Sequence, residues 1–440
     1  MKKRIFLVAA ILSLAACTPS SSEPIVPIQQ DLPEKIVYDF SADLSEAKLD
    51  CQKRNGIFNE CGSPCGPDAD FCIQVCVPVC ELKPKTNQPS AGINETSIPL
   101  QVPAGFKISE WVTDLPGIRV LAGPDALGNF WYSRTKDGIV SNIQIGKNGE
   151  VVSISDVFTG LDRPHGIAFD PQDGLIMYVA ETSRISKVRL YTEGNLEKIA
   201  DLPAGGRHYT RTLLFGPDDR LYVSIGSSCD TCVEKDDRLA AVYVMEKDGA
   251  NFEPYATGLR NAPFLAIDPV LGGIWVTEMG RDFLGDDLPP DEINVLKAGA
   301  NYGWPYCYGE QVRDHTFEPE RSMDRCGSTE PAKIELQAHS APLGLAFVPE
   351  EGWPEDMALD LLVAYHGSWN RSEPTGYKIR HIKLDDDRNE IEQSDFITGW
   401  LDENGQSIGR PVDLLIQPGG TLYITDDKRG MIYKVERLSL

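Results

Sequence analysis

The sequence predicts an all-β protein, a six-bladed β-propeller preceded by a small disulfide-rich module, and three observations carry this prediction. The 440 residues include 39 glycines and 31 prolines, and no long stretch has helical periodicity, which is typical of β-rich chains with many turns. From about residue 98, one strand–turn–strand pattern recurs six times, more regularly than in a sandwich. Six cysteines crowd into residues 51–80, a segment too short to bury a core without disulfides.

The first 17 residues are interpreted as a lipoprotein signal peptide. A basic start at residues 2–4 precedes an apolar run at residues 5–16, which is too short to span a bilayer comfortably. The ending Leu-Ala-Ala-Cys is similar to a bacterial lipobox and implies lipidation of Cys17, although an ordinary signal peptide with a stray cysteine is the alternative. Residues 18–48 would be a flexible tether. We therefore expect a lipid-anchored protein of the bacterial cell envelope, on the periplasmic side or at the outer membrane or cell surface.

Residues 49–84 are predicted to form a disulfide module. With Cys17 lipidated, ten cysteines remain, an even number that suits an oxidising compartment. The six cysteines of the module are Cys51, Cys61, Cys65, Cys72, Cys76 and Cys80. Zinc is the rival, but no histidine lies nearby, so disulfides are favoured. Six cysteines allow fifteen pairings, and the sequence does not choose among them.

Residues 98–440 are predicted to form the propeller. The six repeats lie at residues 119–145, 165–190, 212–228, 264–280, 343–369 and 412–435. Each alternates apolar and polar residues with the period of strands, and the turns carry Asp, Pro and Gly. Insertions between repeats, such as residues 281–340, would be loops on one face of the ring.

Charge and motifs exclude several classes of function. The formal net charge of −24 repels the phosphate backbone, so no nucleic-acid partner is expected. No Gly-x-Gly-x-x-Gly follows a strand, which disfavours a nicotinamide fold. A c-type haem is excluded at the Cys-x-x-Cys of Cys229 and Cys232, because Val233 stands where the motif needs a histidine.

Four cysteines of the second part of the chain are expected to form two disulfides. Cys229 and Cys232 follow the strands of the third repeat, where a local disulfide would stiffen a loop. Cys307 and Cys326 flank an insertion, and a disulfide between them would close it, stabilising the fold by about 3 kcal/mol on the entropic account.

His208 stands in a polar loop led by Gly205 and Gly206, directly ahead of the third repeat. An imidazole titrates near neutrality and can act as a general base at neutral pH. The two glycines would allow the backbone to approach a ligand closely. A loop histidine bonded to a carbonyl group is the alternative interpretation.

Four runs of the chain share the motifs and the order of a known family. They are GLRNAPFLAIDP at 258–269, TEMGRDFLGDDLPPDEINVLKAGANYGWPYCYGE at 277–310, HGSWNRSEPTGYKI at 366–379 and GRPVDLLIQPGGTLYITDDKRGMIYKV at 409–435. These runs resemble the soluble quinoprotein glucose and sorbosone dehydrogenases over about residues 98–438, but not over residues 18–97. The resemblance implies a six-bladed propeller that uses pyrroloquinoline quinone (PQQ) and calcium to oxidise sugars.

The resemblance also implies roles for particular residues. His208 matches the position of the general base, and Arg260 with Asn261 matches the family's Arg-Asn pair, whose guanidinium would stabilise charge on the quinone. PQQ is a tricarboxylate, so its pocket needs cations. The candidates for cofactor contacts besides Asn261 are Arg371, Arg410, Lys428 and His165. Surface salt bridges are the alternative for the three cations, and a structural role is the alternative for His165.

The calcium ligands implied by the resemblance are the backbone carbonyl groups of Gly280 and Arg281. Calcium prefers hard oxygen ligands, and carbonyl groups qualify. An arginine side chain beside a divalent cation is unfavourable unless it points away, so this assignment depends on the direction of Arg281.

The first interpretation is thus an exported sugar dehydrogenase that passes electrons from an aldose or similar polyol to PQQ, and then to a respiratory or quinone acceptor near the membrane that anchors it. The second is a non-catalytic propeller that binds a sugar or a protein, since one fold hosts many functions. A propeller lactonase, with metal held by side-chain carboxylates, is a third. The particular sugar, the acceptor and the oligomeric state are not encoded in recognisable motifs.

Overall fold

The computed structural model describes residues 35–37, 44–53, 56–62, 77–82, 91–319 and 325–438. Contacts divide the chain into two compact units, Met1–Pro89 and Ser90–Leu440. The predicted signal peptide, Cys17 and most of the tether lie outside the described residues. Within the described residues, no helix is long and apolar enough to cross a membrane.

The first unit contains one short helix and a three-stranded antiparallel sheet. In chain order the elements are β1 (Lys35–Val37), α1 (Leu44–Lys53), β2 (Gly56–Gly62) and β3 (Val77–Leu82), and the sheet order is β1-β3-β2. A disulfide joins Cys51 of the helix to Cys80 of β3, and both are fully buried. A disulfide therefore stands at the centre of this small unit, as predicted. The side chains of the module's other four cysteines lie outside the described part of the structure.

The second unit is a six-bladed β-propeller, which confirms the predicted fold class. Two strands precede the first blade, β4 (Ile93–Glu95) and β5 (Phe106–Val112). Blade 1 contains β6 (Ile118–Ala122), β7 (Phe130–Arg134), β8 (Ile139–Ile145) and β9 (Val151–Phe158). Blade 2 contains β10 (Ile167–Phe169), β11 (Ile176–Ala180), β12 (Arg184–Arg189) and β13 (Glu197–Asp201). Blade 3 contains β14 (Leu213–Phe215), β15 (Leu221–Ile225), β16 (Ala241–Met245) and β17 (Glu253–Thr257).

The fourth blade is interrupted by the predicted insertion. Its first three strands are β18 (Leu265–Ile267), β19 (Ile274–Glu278) and β20 (Asp291–Val295). The insertion carries β21 (Ala300–Asn301), the hairpin of β22 (Cys307–Tyr308) and β23 (Val312–Arg313), and a 3₁₀ helix (Cys326–Ser328). The last strand of blade 4 is β24 (Ile334–Leu336). The short β21 pairs in parallel with the outer strand of blade 3, so the insertion ties two blades together.

The remaining strands complete blades 5 and 6. Blade 5 contains β25 (Pro342–Phe347), a 3₁₀ helix (Glu355–Met357), β26 (Leu361–Tyr365), β27 (Lys378–Leu384) and β28 (Glu390–Ile397). Blade 6 contains β29 (Pro411–Ile416), β30 (Leu422–Asp426) and β31 (Met431–Arg437). Its fourth strand is β5, which pairs antiparallel with β31, so the two ends of the second unit close the ring in one sheet.

The core lies between the blades rather than in one central cluster. Buried side chains form one cluster at each interface of neighbouring blades, for example Tyr178 of blade 2 with Leu221 of blade 3, and Trp275 of blade 4 with Leu361 of blade 5. Both faces of each middle strand are thus covered, and this explains why β15 and β19 are buried along their full length. Because every blade depends on two neighbours, the loops at one rim are held in fixed relative positions.

Candidate functional site

Strand direction brings the predicted site residues to one face of the ring. In blades 3 and 4, the innermost strand pairs antiparallel with the second strand. The loop that enters a blade and the loop that follows its second strand therefore lie at the same edge. Together these loops line a cleft of about 350 Å³, and His208, Arg260, Gly280 and Arg410 are among its lining residues.

His208 is held by one ring nitrogen and leaves the other unpaired. Its Nδ1 lies 2.8 Å from the hydroxyl oxygen of Ser227. Among the described residues, Nε2 has no hydrogen-bond partner. Burial, together with the charges of Arg260 and Arg207, lowers the pKa of His208 to about 3. The imidazole is therefore neutral at pH 7 and can accept a proton.

This environment makes a prediction for the protein without cofactor. A lowered pKa means that the folded ring loses its proton at a lower pH than the unfolded ring does, so His208 should not titrate between about pH 5 and 8. Proton NMR of the ring signals, assigned with His208→Gln, would measure this, and the same histidine in urea is the control. An inflection near its ordinary value in the folded protein would contradict the burial described above.

Gly206 explains the shape of the loop that carries His208. It has a φ of 95°, and a Cβ atom there would lie 2.9 Å from the Cα atom of Ser228. The backbone amide of His208 also donates to the carbonyl oxygen of Ser227. The glycine thus lets this loop pack against the chain at residues 227–228. The close approach is to the protein's own backbone, where the sequence predicted an approach to a ligand.

Arg260 shares two aspartates, Asp230 and Asp282, with neighbouring arginines. Its guanidinium group is 2.6 Å from a carboxylate oxygen of Asp230 and 3.4 Å from Asp282. Arg207 forms a 2.5 Å ion pair with the same Asp282. Only 4% of the Arg260 side chain is exposed, so this charge is fixed in place and largely removed from water. Fixed, dehydrated charges of this kind stabilise charge that develops on a ligand.

Arg410 differs from the other arginines of the cleft because its hydrogen bonds go to neutral groups. It donates to the carbonyl oxygens of His366 and Gly367 at 3.1 and 2.7 Å. Among the described residues, no carboxylate forms an ion pair with Arg410. Its positive charge is therefore available to an anionic group that enters the cleft.

The predicted metal ligands are the backbone carbonyl groups of Gly280 and Arg281, and of these two residues Gly280 lines the cleft while Arg281 does not. Gly280 lines the cleft, and its amide donates to Asp291, which also lines it. Burial raises the pKa of Asp291 to about 6. The guanidinium group of Arg281 is 2.7 Å from Asp314, outside the cleft. The unfavourable case considered from sequence, an arginine charge beside the cation, is therefore avoided.

Four other predicted residues are not brought into the cleft. Asn261 is buried, with its amide nitrogen 3.3 Å from the sulfur of Met279, which lines the cleft. Arg371 pairs with Asp287 on an exposed loop. Lys428 donates to Ser407.

His165 is also absent from the cleft, because it is fully buried and its ring packs against Phe264. For His165 the structure favours the structural alternative. The predicted disulfide partners do meet, with Cys229 bonded to Cys232 and Cys307 bonded to Cys326.

Two residues in or next to the cleft carry no role in the sequence interpretation. Asp230 holds Arg260, and its position between the two cysteines of the Cys-x-x-Cys is the only sequence signal that marks it. Trp369 lines the cleft, is 63% exposed, and makes an edge contact with Phe283, which is also exposed. Two large exposed aromatic rings at the mouth of a polar cleft are typical of ligand-binding surfaces.

Comparison with known proteins places this propeller among relatives. Residues 100–438 match the TrAA12-like family. An uncharacterized protein of Borreliella burgdorferi is 33% identical over 220 residues, covering 50% of this chain and 57% of that protein. The aldose sugar dehydrogenase YliI of Escherichia coli K12 is 24% identical over 247 residues, covering 52% of this chain and 60% of that protein. These matches span less than two thirds of the relatives' own lengths.

Solved structures share the same fold. The holo form of the pyranose dehydrogenase PQQ domain from Coprinopsis cinerea has a TM-score of 0.66 and 20% identity, over 79% of this chain and 99% of that one. The calcium structure of the Trichoderma reesei carbohydrate-active enzyme of family AA12 has a TM-score of 0.67 and 19% identity, over 78% of this chain and 98% of that one. At these identities the likeness establishes the propeller fold.

Proposed function

The chain belongs to the TrAA12-like family, and on that premise we propose that it oxidises a hydroxyl group of an aldose sugar or similar polyol, with PQQ and calcium as cofactors. The observation that carries the proposal is the convergence of a neutral imidazole, that of His208, with three guanidinium groups in one cleft. The fold is one that PQQ-type sugar dehydrogenases use, and the E. coli relative bears the name of an aldose sugar dehydrogenase.

The donor set of the cleft fits PQQ. A tricarboxylate needs cations, and Arg207, Arg260 and Arg410 all line the cleft. Arg410 would be the first candidate to hold a carboxylate group, since its own hydrogen bonds go to backbone carbonyl groups. A volume of about 350 Å³ lies within the range of small-molecule pockets.

The donor set also fits calcium. Gly280 and Asp291 line the cleft side by side and supply oxygen donors, which calcium prefers. The charge of Arg281 is neutralised by Asp314 and faces away. Gly280 and Asp291 would hold calcium at this edge of the cleft.

The residues of the cleft support the following roles. When bound, PQQ supplies the acceptor for the hydride that leaves the sugar carbon. The Nε2 atom of His208 removes the hydroxyl proton, because it is unpaired and the ring is neutral. Arg260, fixed by Asp230 and Asp282, stabilises the negative charge that develops beside it.

Reconstitution tests the proposal directly. PQQ and calcium are added to purified apoprotein, quinone absorbance is followed, and dye reduction is measured with a panel of aldoses and polyols. We expect an absorbance change that needs both cofactors, and dye reduction that needs sugar as well. Sugar binding without turnover would favour the non-catalytic propeller, and hydrolysis of a sugar lactone without PQQ would favour the lactonase. Either result would overturn the proposal.

We also propose that the protein is exported and lipid-anchored, which would keep it beside a respiratory or quinone electron acceptor in the membrane. The proposal rests on the lipobox-like sequence that ends at Cys17, which lies outside the described residues. In bacterial cells, the full chain is expected in the membrane fraction and Cys17→Ser in the soluble fraction. Equal distribution of the two proteins would contradict the anchor and leave the enzymatic proposal untouched.

A further inference from the structure

One short loop contacts both of the residues on which the proposed chemistry depends. It follows β15 in blade 3, runs from Ser227 to Cys232, and is closed by the Cys229–Cys232 disulfide. Within the loop, Ser227 contacts His208 and Asp230 contacts Arg260. Neither Ser227 nor Asp230 lines the cleft, so both act through the residues they hold.

Counting protons at Ser227 assigns the tautomer of His208. The Ser227 hydroxyl donates to the carbonyl oxygen of Cys229 at 2.7 Å. A serine hydroxyl has one hydrogen, and this bond uses it. The 2.8 Å contact between the same oxygen and Nδ1 of His208 must therefore be made by an Nδ1 hydrogen. In a neutral imidazole, Nε2 then carries the lone pair, which is the form a base needs at the cleft.

Asp230 holds Arg260 through two groups at once. Its carboxylate oxygen lies 2.6 Å from a terminal guanidinium nitrogen. Its backbone carbonyl oxygen accepts from Nε of Arg260 at 3.0 Å. The same carboxylate accepts from the backbone amide of Asp282, so the acid is itself fixed. A two-point contact sets the plane of the guanidinium group as well as its position.

The disulfide fixes the contact of Ser227 with His208 and the contact of Asp230 with Arg260 relative to each other. Cys229 provides the carbonyl group that orients Ser227, and Asp230 lies between the two bonded cysteines. Ser228 is also fixed, because its backbone amide and its hydroxyl group donate to the carboxylate oxygens of Glu234 at 2.6 and 2.7 Å. Opening the disulfide would free the Cys229 carbonyl and Asp230 to move independently of each other.

We propose that this disulfide-closed loop is the positioning element of the site, in which Ser227 selects the tautomer of His208, Asp230 orients Arg260, and turnover depends on the intact Cys229–Cys232 bond. Ser227 and Asp230 are positioning residues rather than catalytic ones. The inference rests on the proposed function for its kinetic consequences, but the tautomer itself is a property of the protein without cofactor or substrate.

The tautomer is measured first, by ¹⁵N NMR of the six histidine rings in apoprotein, with the His208 signals assigned by His208→Gln. We expect the Nδ1-protonated form in the wild type and in Ser227→Thr, which keeps the hydroxyl. We expect a mixture of tautomers, or the Nε2-protonated form, in Ser227→Ala. A wild-type ring protonated at Nε2, or a Ser227→Ala ring identical to the wild type, would overturn the assignment.

Kinetics then test the positioning role. In the reconstituted enzyme, Ser227→Ala should lower kcat by at least about 10-fold with little change in KM, and Ser227→Thr should restore most of it. Ser186→Ala is the matched control, because Ser186 is fully buried in blade 2 and its hydroxyl has no partner among the described residues. Equal kcat values for Ser227→Ala and the wild type would refute the role.

The disulfide is tested with Cys229→Ser/Cys232→Ser beside Cys307→Ser/Cys326→Ser. Both double variants lose one cross-link, but only the first should change the His208 tautomer and lower kcat. An unchanged tautomer and kcat in the first would refute the dependence on the disulfide. Asp230→Asn, which removes the negative charge that pairs with Arg260 and leaves the disulfide intact, gives a second route if the first double variant does not fold. Wild-type kcat in this variant would refute the role of Asp230. A wild-type protein inactive on every sugar refutes the proposed function alone, and the NMR result stands separately.

Discussion

Replacing His208 by alanine is expected to lower kcat by about 10²- to 10⁴-fold while PQQ and calcium still bind. The neutral ring contributes a proton acceptor to the cleft and no charge, whereas the cations that suit a tricarboxylate are arginines. Quinone absorbance on adding cofactor would measure binding, and dye reduction with a saturating sugar would measure kcat.

His381→Gln is the matched control for this variant. His381 is a partly buried histidine that contacts Asp360 in blade 5 and does not line the cleft, so its loss should leave kcat unchanged. A His208→Ala protein with wild-type kcat would remove the general base from the proposed mechanism. A His208→Ala protein that no longer binds cofactor would mean that the ring holds PQQ instead of acting on substrate.

Replacing Arg260 by alanine is expected to lower both activity and stability. Loss of one preorganised group that stabilises developing charge typically costs about 10²- to 10³-fold in kcat. The change also leaves Asp230 without its buried partner, and breaking such a pair costs roughly 3–5 kcal/mol. Thermal unfolding and dye reduction, corrected for the folded fraction, would separate the two effects.

Arg388→Ala supplies the control for stability. Arg388 is exposed to the same 4% and forms a 3.0 Å ion pair with the buried Asp268, far from the cleft. The Arg388→Ala protein should lose a similar amount of stability to the Arg260→Ala protein, with no loss of kcat per folded molecule. If the two variants had equal kcat, Arg260 would be a structural arginine and its role in charge stabilisation would be lost.

The propeller could be predicted from the sequence because each blade corresponds to a short strand–turn–strand pattern, and this pattern recurs six times along the chain. The run at residues 212–228 becomes β14, a turn and β15, and five further runs do the same. The pairing of β5 with β31 is different, since it joins strands from opposite ends of the unit. The parallel pairing of β21 with the outer strand of blade 3 is also non-local, and the alternation of apolar and polar residues does not predict it.

The candidate site follows from the sequence only in part. The resemblance brings His208, Arg260, Gly280 and Arg410 together, and the structure places all four around one cleft. It does not predict side-chain directions, because these depend on contacts between loops of different blades. Arg281 turns away because Asp314, on an inserted loop, neutralises it.

Two other residues show the same dependence on distant contacts. Lys428 is drawn to Ser407 rather than to the cleft. Asp230 reaches Arg260 from another loop, and nothing in the spacing of the two residues predicts that contact. The side-chain contacts that the sequence did not predict are thus those that depend on packing between neighbouring loops.

The closing of the ring by β5 and β31 has a consequence for biosynthesis. β31 follows, in chain order, every residue that lines the cleft, and until it has been synthesised β5 has no strand of blade 6 to pair with. His208 and Arg410 precede the first strands of blades 3 and 6, and the cleft that both line forms only when the ring is closed. A chain that lacks β31, whether still being synthesised or shortened by a stop codon, would therefore contain every residue that lines the cleft but would not form the cleft.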